Sequence, residues 1–335
     1  MPATKRVTLF DVAKHAGVSR ASASLVVRGT GRLSPETRER VLAAMGELGY
    51  VYHRGAASLR TQRSSSVGVL ITDIANPSFA NLTQGLEQGL ASAGYFTMLS
   101  NTFDDQDREL QLVRSFLEYP VDALVYVPAA GELAETRRLL ASAPIPVLAV
   151  TRTPSESGAY VGPDNFLGGW KAAEHMIVQH GCTKLAFLGG PSEGPARRDR
   201  LDGVRARIEE TTGVSLVFDL HGPVTPDSAE QMSAAAIATQ TEFDGLICHS
   251  DLVAYAFLSA WRKTGKEPLP VIGFDDLPIS KLFDPPVTSI TVGQLGARAA
   301  ERVLQMIDGG EPFAELMPPH IELRESCGCH AANGG

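Results

Sequence analysis

Apolar positions change their period twice along the chain, and each change marks a boundary. From residue 7 to residue 49 they recur at helical spacing in three short runs. Thr8-Leu9-Phe10-Asp11 has the spacing of a capping box with Asp in the Glu place, and it predicts a short helix with Leu9, Val12 and Ala13 inward. Gly17 supplies the positive φ of a tight turn. Ser19 then caps a second helix, Arg20 to Arg28, with Ala23, Val26 and Val27 on one face. Ser34-Pro35-Glu36 starts a third helix, with a cap, Pro at the first helical position and an acid near the positive end of the dipole. Its inward positions are Val41, Leu42, Met45 and Leu48, and it stops at Gly49. Three short helices with a glycine turn between the first two predict a helix-turn-helix head.

Residues 61–66 form a polar linker, and beyond them apolar runs alternate with helical patterns. Strands are predicted at Val67–Ile71, Phe96–Ser100, Ala123–Val127, Val147–Val150, Leu185–Leu188, Gly245–Cys248 and Val271–Phe274. Helices fall between them at Phe79–Ala93, Asp107–Glu118, Leu133–Ala141, Leu167–Gln179, Asp199–Glu210, Ser228–Ala238 and Leu252–Thr264. This rhythm implies an α/β fold with parallel sheets covered on both faces, and the stretch is long enough for two such lobes. Two open sheets with a cleft between them point to a ligand-binding or dinucleotide-binding protein.

Charge sharpens the division. Residues 1–63 carry 11 Lys and Arg against 4 Asp and Glu, while the whole chain has a net charge of −8. A cationic head on an anionic body suits phosphate-backbone binding by one part only. No apolar run of about 18 residues and no cationic-then-apolar leader occurs, so no membrane span or secretion signal is expected. Cys182, Cys248, Cys327 and Cys329 are few and scattered, which suits a reducing cytoplasm and gives no disulfide framework. Cys327-x-Cys329-His330 invites comparison with a metal clip. It lacks two-plus-two spacing and lies at a glycine-rich terminus, so a frayed tail is expected instead.

Enzyme motifs are missing. Gly189-Gly190-Pro191 is no dinucleotide fingerprint, and there is no Walker A motif or Gly-x-Ser-x-Gly elbow. His15, His53, His175, His180, His221, His249, His320 and His330 show no metal-ligand spacing. Neither a cofactor nor a metal is expected. His249-Ser250-Asp251 has the letters of a triad, but three consecutive residues cannot converge on one proton-transfer line.

The stretch VTLFDVAKHAGVSRASASLVVRGTGRLSPETRERVLAAMGELGYVYHRGAASLR, residues 7–60, resembles the lactose-repressor (LacI) family of bacterial transcription regulators. The resemblance continues through VGVLITDIANPSF, GYFTMLSN, VDALVYVP, VGPDNFLGG, KLAFLGGP, RRDRLDG, GFDD and LRES, to about residue 326. It implies a three-helix head, a hinge helix near residues 54–60, and a core at 67–326 that resembles a periplasmic sugar-binding protein. Residues 327–335 would be a flexible tail. The implied partners are a palindromic double-stranded DNA operator, a small-molecule effector and a second copy of the chain.

In such a head, Arg20, Ala21 and Leu25 would face base edges, Arg20 as the long donor for guanine. Thr8, Ser19, Ser22, Ser24 and Arg28 would serve phosphates. Ala56 and Leu59 of the hinge would enter the minor groove, Leu59 as a wedge. The pocket positions carried over are Asp73, Asn76, Phe79 and Tyr126 in the first lobe, and Asp164, Asn165, Arg200, Ser250, Asp251 and Asp275 in the second. Loops at the carboxyl ends of parallel strands converge on such a cleft, and their Asp, Asn, Ser and Arg residues can bind hydroxyls or a carboxylate. Simpler readings stay open: Arg200 and Asp275 pairing with each other, and Phe79 as plain core.

Some residues depart from the family pattern. Leu25 and Arg28 stand where many members have Arg or His and Asn, so a different DNA sequence should be read. The segment Ile290 to Gly296 is about two residues short, which leaves a pocket contact there unplaced. Without C-terminal leucine heptads a dimer is favoured over a coiled-coil tetramer. The resulting expectation is a cytoplasmic, ligand-responsive, homodimeric repressor. The alternative is a sugar-binding or enzymatic domain tethered to nucleic acid by a basic head.

Overall fold

Caps written into the sequence build the head. The structure is a computed structural model that describes residues 7–27, 31–51, 63–154 and 158–329, in two compact units that meet at Ser64 and Ser65. In the first unit, α1 (Leu9–His15) opens with a complete capping box between Thr8 and Asp11. Helix α2 (Arg20–Val27) starts where the Ser19 hydroxyl accepts from the Ser22 amide at 3.0 Å. Helix α3 (Pro35–Leu48) starts at Ser34 and stops at Gly49, which takes a left-handed φ of 61°. Val12, Ala13, Ala16, Ala23, Val26, Val41 and Ala44 form the core. Leu42, expected inward, is 52% exposed, because the α3 face that meets α1 and α2 is set by Val41 and Ala44. Residues 28–30 and 52–62 lie outside the described residues, and the hinge expected at 54–60 falls among them.

The second unit consists of two lobes with matching sheets. Lobe 1 holds β1 (Ser66–Ile71), β2 (Phe96–Asn101), β3 (Ala123–Tyr126), β4 (Val147–Val150), β5 (Ala159–Pro163) and β11 (Ala314–Met317), in the order β11-β5-β4-β3-β1-β2. Lobe 2 holds β6 (Lys184–Leu188), β7 (Ser215–Leu220), β8 (Gly245–Cys248), β9 (Val271–Phe274), β10 (Thr288–Thr291) and β12 (His320–Glu322), in the order β12-β10-β9-β8-β6-β7. Each pairing is parallel except that of β12 with β10.

Both faces of each sheet are covered, as parallel strands require. In lobe 1, α4 (Pro77–Ser92) and α11 (Leu295–Ile307) cover one face, and α5 (Gln106–Glu118) and α6 (Ala134–Ala141) the other. In lobe 2, α7 (Asn165–His180) and α8 (Pro195–Glu209) lie opposite α9 (Pro226–Ala238) and α10 (Asp251–Lys263). The chain passes between the lobes three times, after β5, β10 and β11, so neither lobe is one continuous segment.

The C-terminal segment departs from expectation. Residues 327–329 are packed rather than frayed: Cys327 is fully buried in the lobe 2 core, and Cys329 packs against it. The Ser326 hydroxyl anchors this stretch by donating to the Val271 carbonyl at 2.8 Å and accepting from the Thr288 amide at 2.9 Å.

Candidate functional site

Strand ends of both lobes and the N-termini of α4, α7, α8, α10 and α11 surround a cleft of about 1030 Å³. Amide-rich helix starts and converging loops make this edge of a parallel sheet the natural ligand edge. Asp73, Asn76 and Phe79 line it from lobe 1, and Asp164, Asn165, Arg200, Ser250 and Asp275 line it from lobe 2. Phe79 serves both readings given above, since it faces the cleft and also packs against the lobe 1 core.

Arg200 is the hub of the lobe 2 wall. Its Nε donates to Asn165 Oδ1 at 2.8 Å, its Nη1 to the His249 carbonyl, and its Nη2 lies 3.7 Å from Asp275 Oδ1. The guanidinium also sits over the Phe274 ring, 4.2 Å from its centre, in cation–π contact. Burial pushes the Asp275 carboxyl above its usual range, and the Arg200 charge opposes that shift. The close crossing of α7 and α8 positions this hub. A Cβ on Gly169 would run into the Arg200 carbonyl, and one on Gly203 into the Phe166 carbonyl, so only glycine lets Arg200 approach Asn165 this way.

Several lining side chains already have local work. Asn76, Asp164 and Ser250 are N-caps of α4, α7 and α10, accepting from Ser78, Leu167 and Val253 amides. Each keeps further lone pairs for a ligand. Backbone strain also gathers here. Among the described non-glycine residues with positive φ, Phe103, Asp104, Thr151, Asp275 and Asp276 line the cleft, and Ser65 alone does not. Such conformations cost roughly 1–3 kcal/mol each and persist only where surrounding contacts enforce them.

Two sequence expectations are corrected. Tyr126 is 4% exposed in the lobe 1 core and outside the cleft, because its strand position points into the layer under α5 and α6. Asp251 is fully buried and turned away from the cleft. Its carboxylate accepts from the Leu277 amide at 2.9 Å, Ser280 Oγ at 2.6 Å and Ser289 Oγ at 2.7 Å. His249, Ser250 and Asp251 therefore share no proton-transfer line, since Ser250 caps α10 and Asp251 faces β9 and β10.

Sequence reasoning missed other lining residues. Arg152 forms a two-armed pair with Asp104, at 2.5 and 3.2 Å. Arg197 donates to the Gly189 carbonyl at 3.0 Å and pairs with Asp219. Gln294 lines the cleft from the shortened segment, where Gly293 turns the chain with a φ of 73°. His249 is buried against the cleft, and no partner is found for its Nδ1 among the described residues. Burial first, then Arg200, Arg197 and Arg152, hold its pKa well below the usual range, so the ring is neutral. The run Arg197-Arg198-Asp199-Arg200 offered a signal for Arg197, at one helical turn from Arg200. Arg152 and Gln294 follow no pattern.

In the head, Arg20 and Ala21 are exposed on α2, while Leu25 is half-buried. Thr8 and Ser19 are exposed caps, and Ser22 and Ser24 are half-buried. Arg28, Ala56 and Leu59 lie outside the described residues. One basic residue has a purely internal role: Arg40 of α3 donates from Nε to the Ala16 carbonyl at 3.1 Å and from Nη2 to the carbonyls of Ala16 and Gly17. It thereby clamps the turn between α1 and α2, the turn that Gly17 allows with a φ of 63°.

Residues 8–52 match the bacterial regulatory proteins of the lacI family, and residues 173–327 match a periplasmic binding protein-like domain. Over 326 residues the chain is 30% identical to the ribose operon repressor of Halalkalibacterium halodurans, covering 95% of this chain and 96% of that one. The chain belongs to the LacI family. As a LacI-family regulator it carries a DNA-binding head and an effector-type core, and members of the family are regulators rather than enzymes. The maltose regulon regulatory protein of Escherichia coli is 31% identical, with 92% and 94% of the two chains covered. The fold of this LacI-family chain is similar to that of a chain of the lac repressor, solved as a dimer bound to operator and an anti-inducer: TM-score 0.86 at 24% identity, over 96% of this chain and 99% of that one. Among the described residues no helix is long and apolar enough to cross a membrane.

Proposed function

We propose that the chain is a cytoplasmic homodimeric repressor of a palindromic operator, and that a sugar, sugar acid or related small metabolite in the cleft sets its affinity for DNA. The observation that carries this is the Arg200 hub, where a buried cation stacked on the Phe274 ring, an amide and a carboxylate face one polar cleft. Vicinal hydroxyls suit Asp73, Asp275 and Asn165 as partners, and the apolar face of a sugar ring suits Phe79. Relatives named for a ribose operon and a maltose regulon support that ligand class. Gln294 and the neutral His249 also face the cleft as contacts, whereas Tyr126 and Asp251 lie away from it.

On DNA, α2 takes the recognition role. Arg20 reads a guanine, Ala21 and Leu25 offer apolar contact, and Thr8, Ser19, Ser22, Ser24 and Arg28 serve phosphates. The test is fluorescence anisotropy on palindromic duplexes from the adjoining promoter, titrated with pentoses, hexoses and their acids. One ligand class should change operator affinity at least about fivefold, the lower end of ordinary allosteric coupling. If operator affinity stays flat across every ligand that binds the protein, the regulatory reading fails.

A further inference from the structure

The far end of lobe 2 gathers four side chains that the regulatory reading does not use. His175 and His180 stand on the last turns of α7, and Cys327 and Cys329 follow the segment after β12. Their nearest donor atoms all lie within 4.8 Å of one another. Nε2 of His175 and Nε2 of His180 are 3.1 Å apart, and Cys329 Sγ lies 3.5 Å from the His180 nitrogen and 3.8 Å from the His175 nitrogen.

Those three edges match edges of a metal tetrahedron, and the three that run to Cys327 Sγ lie within 4.8 Å. With metal–nitrogen bonds of about 2.0–2.1 Å and metal–sulfur bonds of about 2.3 Å, tetrahedral angles place nitrogens about 3.3 Å apart and nitrogen and sulfur about 3.6 Å apart. Each observed edge falls within about 0.2 Å of these values. A metal-free cluster satisfies its polar atoms poorly. Two facing Nε2 atoms accommodate one proton between them, and thiols are weak hydrogen-bond partners.

The frame is also built in advance. Gly181 ends α7 immediately after His180 with a φ of 66°, and Gly328 turns the chain between the cysteines with a φ of 91°. Ser326 is tied to Val271 and Thr288, and the Arg324 amide donates to Thr288 Oγ1 at 2.9 Å. That same hydroxyl lies 3.1 Å from Cys327 Sγ, in the place of an outer-shell partner to a thiolate.

We propose that His175, His180, Cys327 and Cys329 form a tetrahedral site for a zinc-class ion, stapling the C-terminal segment to the end of α7. Two thiolates and two imidazoles suit zinc and exclude the hard cations magnesium and calcium. Four protein donors leave no open position, so the ion is structural rather than catalytic. The effector cleft begins at Asn165, the other end of the same 16-residue helix. At 1.5 Å per residue the staple lies roughly 20 Å from it.

The experiment uses the full chain without an affinity tag, purified under reducing conditions and assayed by elemental analysis and by cobalt(II) titration. Wild type should hold about one zinc per chain, and cobalt(II) should give tetrahedral d–d absorption with sulfur-to-metal charge transfer. Chelation should lower the melting temperature by several degrees and leave the unfolding of Cys329→Ser unchanged. Cys329→Ser and His180→Asn alter half-buried positions, so they test the site without emptying the core as Cys327→Ala would. Both variants should keep the wild-type circular dichroism and effector affinity while losing the charge-transfer band. Wild type that shows no cobalt spectrum, or metal retained undiminished by the Cys329→Ser/His180→Asn double variant, would overturn the proposal. A disulfide between Cys327 and Cys329 in the reduced preparation would do the same.

Discussion

Arg200 is a buried structural hub that also lines the cleft, and its burial decides what a substitution does. Its side chain is 10% exposed and that of Asp275 17%, so removing either strands a buried charge. Arg200→Ala should therefore cost about 3–5 kcal/mol in stability besides abolishing the effector response. Adding Asp275→Asn should recover much of the stability but none of the response. Urea unfolding beside a ligand titration checks both, and a fully stable single variant would contradict the pairing.

Asp251 makes a pH prediction at the same scale. Burial pushes its carboxyl up to about 7, nearby Asp275 adds to the shift, and the bonds from Ser280, Ser289 and Leu277 oppose it. An unfolded Asp releases its proton near about 3.9. Between about pH 4 and 7 the unfolded chain binds fewer protons than the folded one, so stability falls as pH rises across that window, by up to roughly 4 kcal/mol. Asp251→Asn should flatten this part of the profile. Glu109, also pushed up to about 7 by its burial, is common to both proteins, so their difference isolates Asp251. Trp170 and Trp261, both in lobe 2, supply the fluorescence signal. Identical pH profiles would show that Asp251 keeps its ordinary titration.

At the scale of elements, the DNA-reading role proposed for α2 is separable from the clamp that Arg40 of α3 puts on the α1–α2 turn. Arg20→Ala should weaken operator binding by about 1–3 kcal/mol and relax one position of each half-site, as a competition series of operator variants would show. Equal weakening on every variant would make Arg20 a phosphate contact. Arg40→Ala should instead loosen the α1–α2 turn and weaken every DNA sequence alike, with faster proteolysis of the head. In the core, Gly169→Ala should push α8 from α7 and lower effector affinity without touching the ligand. The buried strands β3, β4, β8 and β9 were legible as apolar runs, and helices α1 to α10 to within a few residues, while α11 (Leu295–Ile307) was not given a range. Strand β10 was not, because Thr288 and Ser289 are polar yet buried, with hydroxyls bonded to the Arg324 carbonyl and to Asp251. Edge strands β7, β11 and β12 are partly exposed and carry weak patterns. Site residues were legible where they start helices, as Asn76, Asp164 and Ser250 do. Tyr126 was misplaced because the alternation of a strand decides its face, and a motif letter does not.

For the whole molecule, the proposed function makes cleft and operator share one equilibrium. Residues 54–60 lie outside the described residues, and their hinge role rests on likeness to the family. We propose that such a hinge would fold only beside its partner copy, since isolated helices under about 12 residues are marginal in water. Leu59→Ala should then weaken palindrome binding and reduce DNA bending while dimerisation and effector affinity stay near normal. Unchanged operator affinity in that variant would leave residues 54–60 as plain linker. Thermodynamic linkage supplies the most direct test: effector affinity measured by calorimetry with and without saturating palindromic operator. Operator should shift effector affinity by about 5–150-fold, the same factor by which the effector changes operator affinity. Identical effector affinity in the two titrations would contradict it.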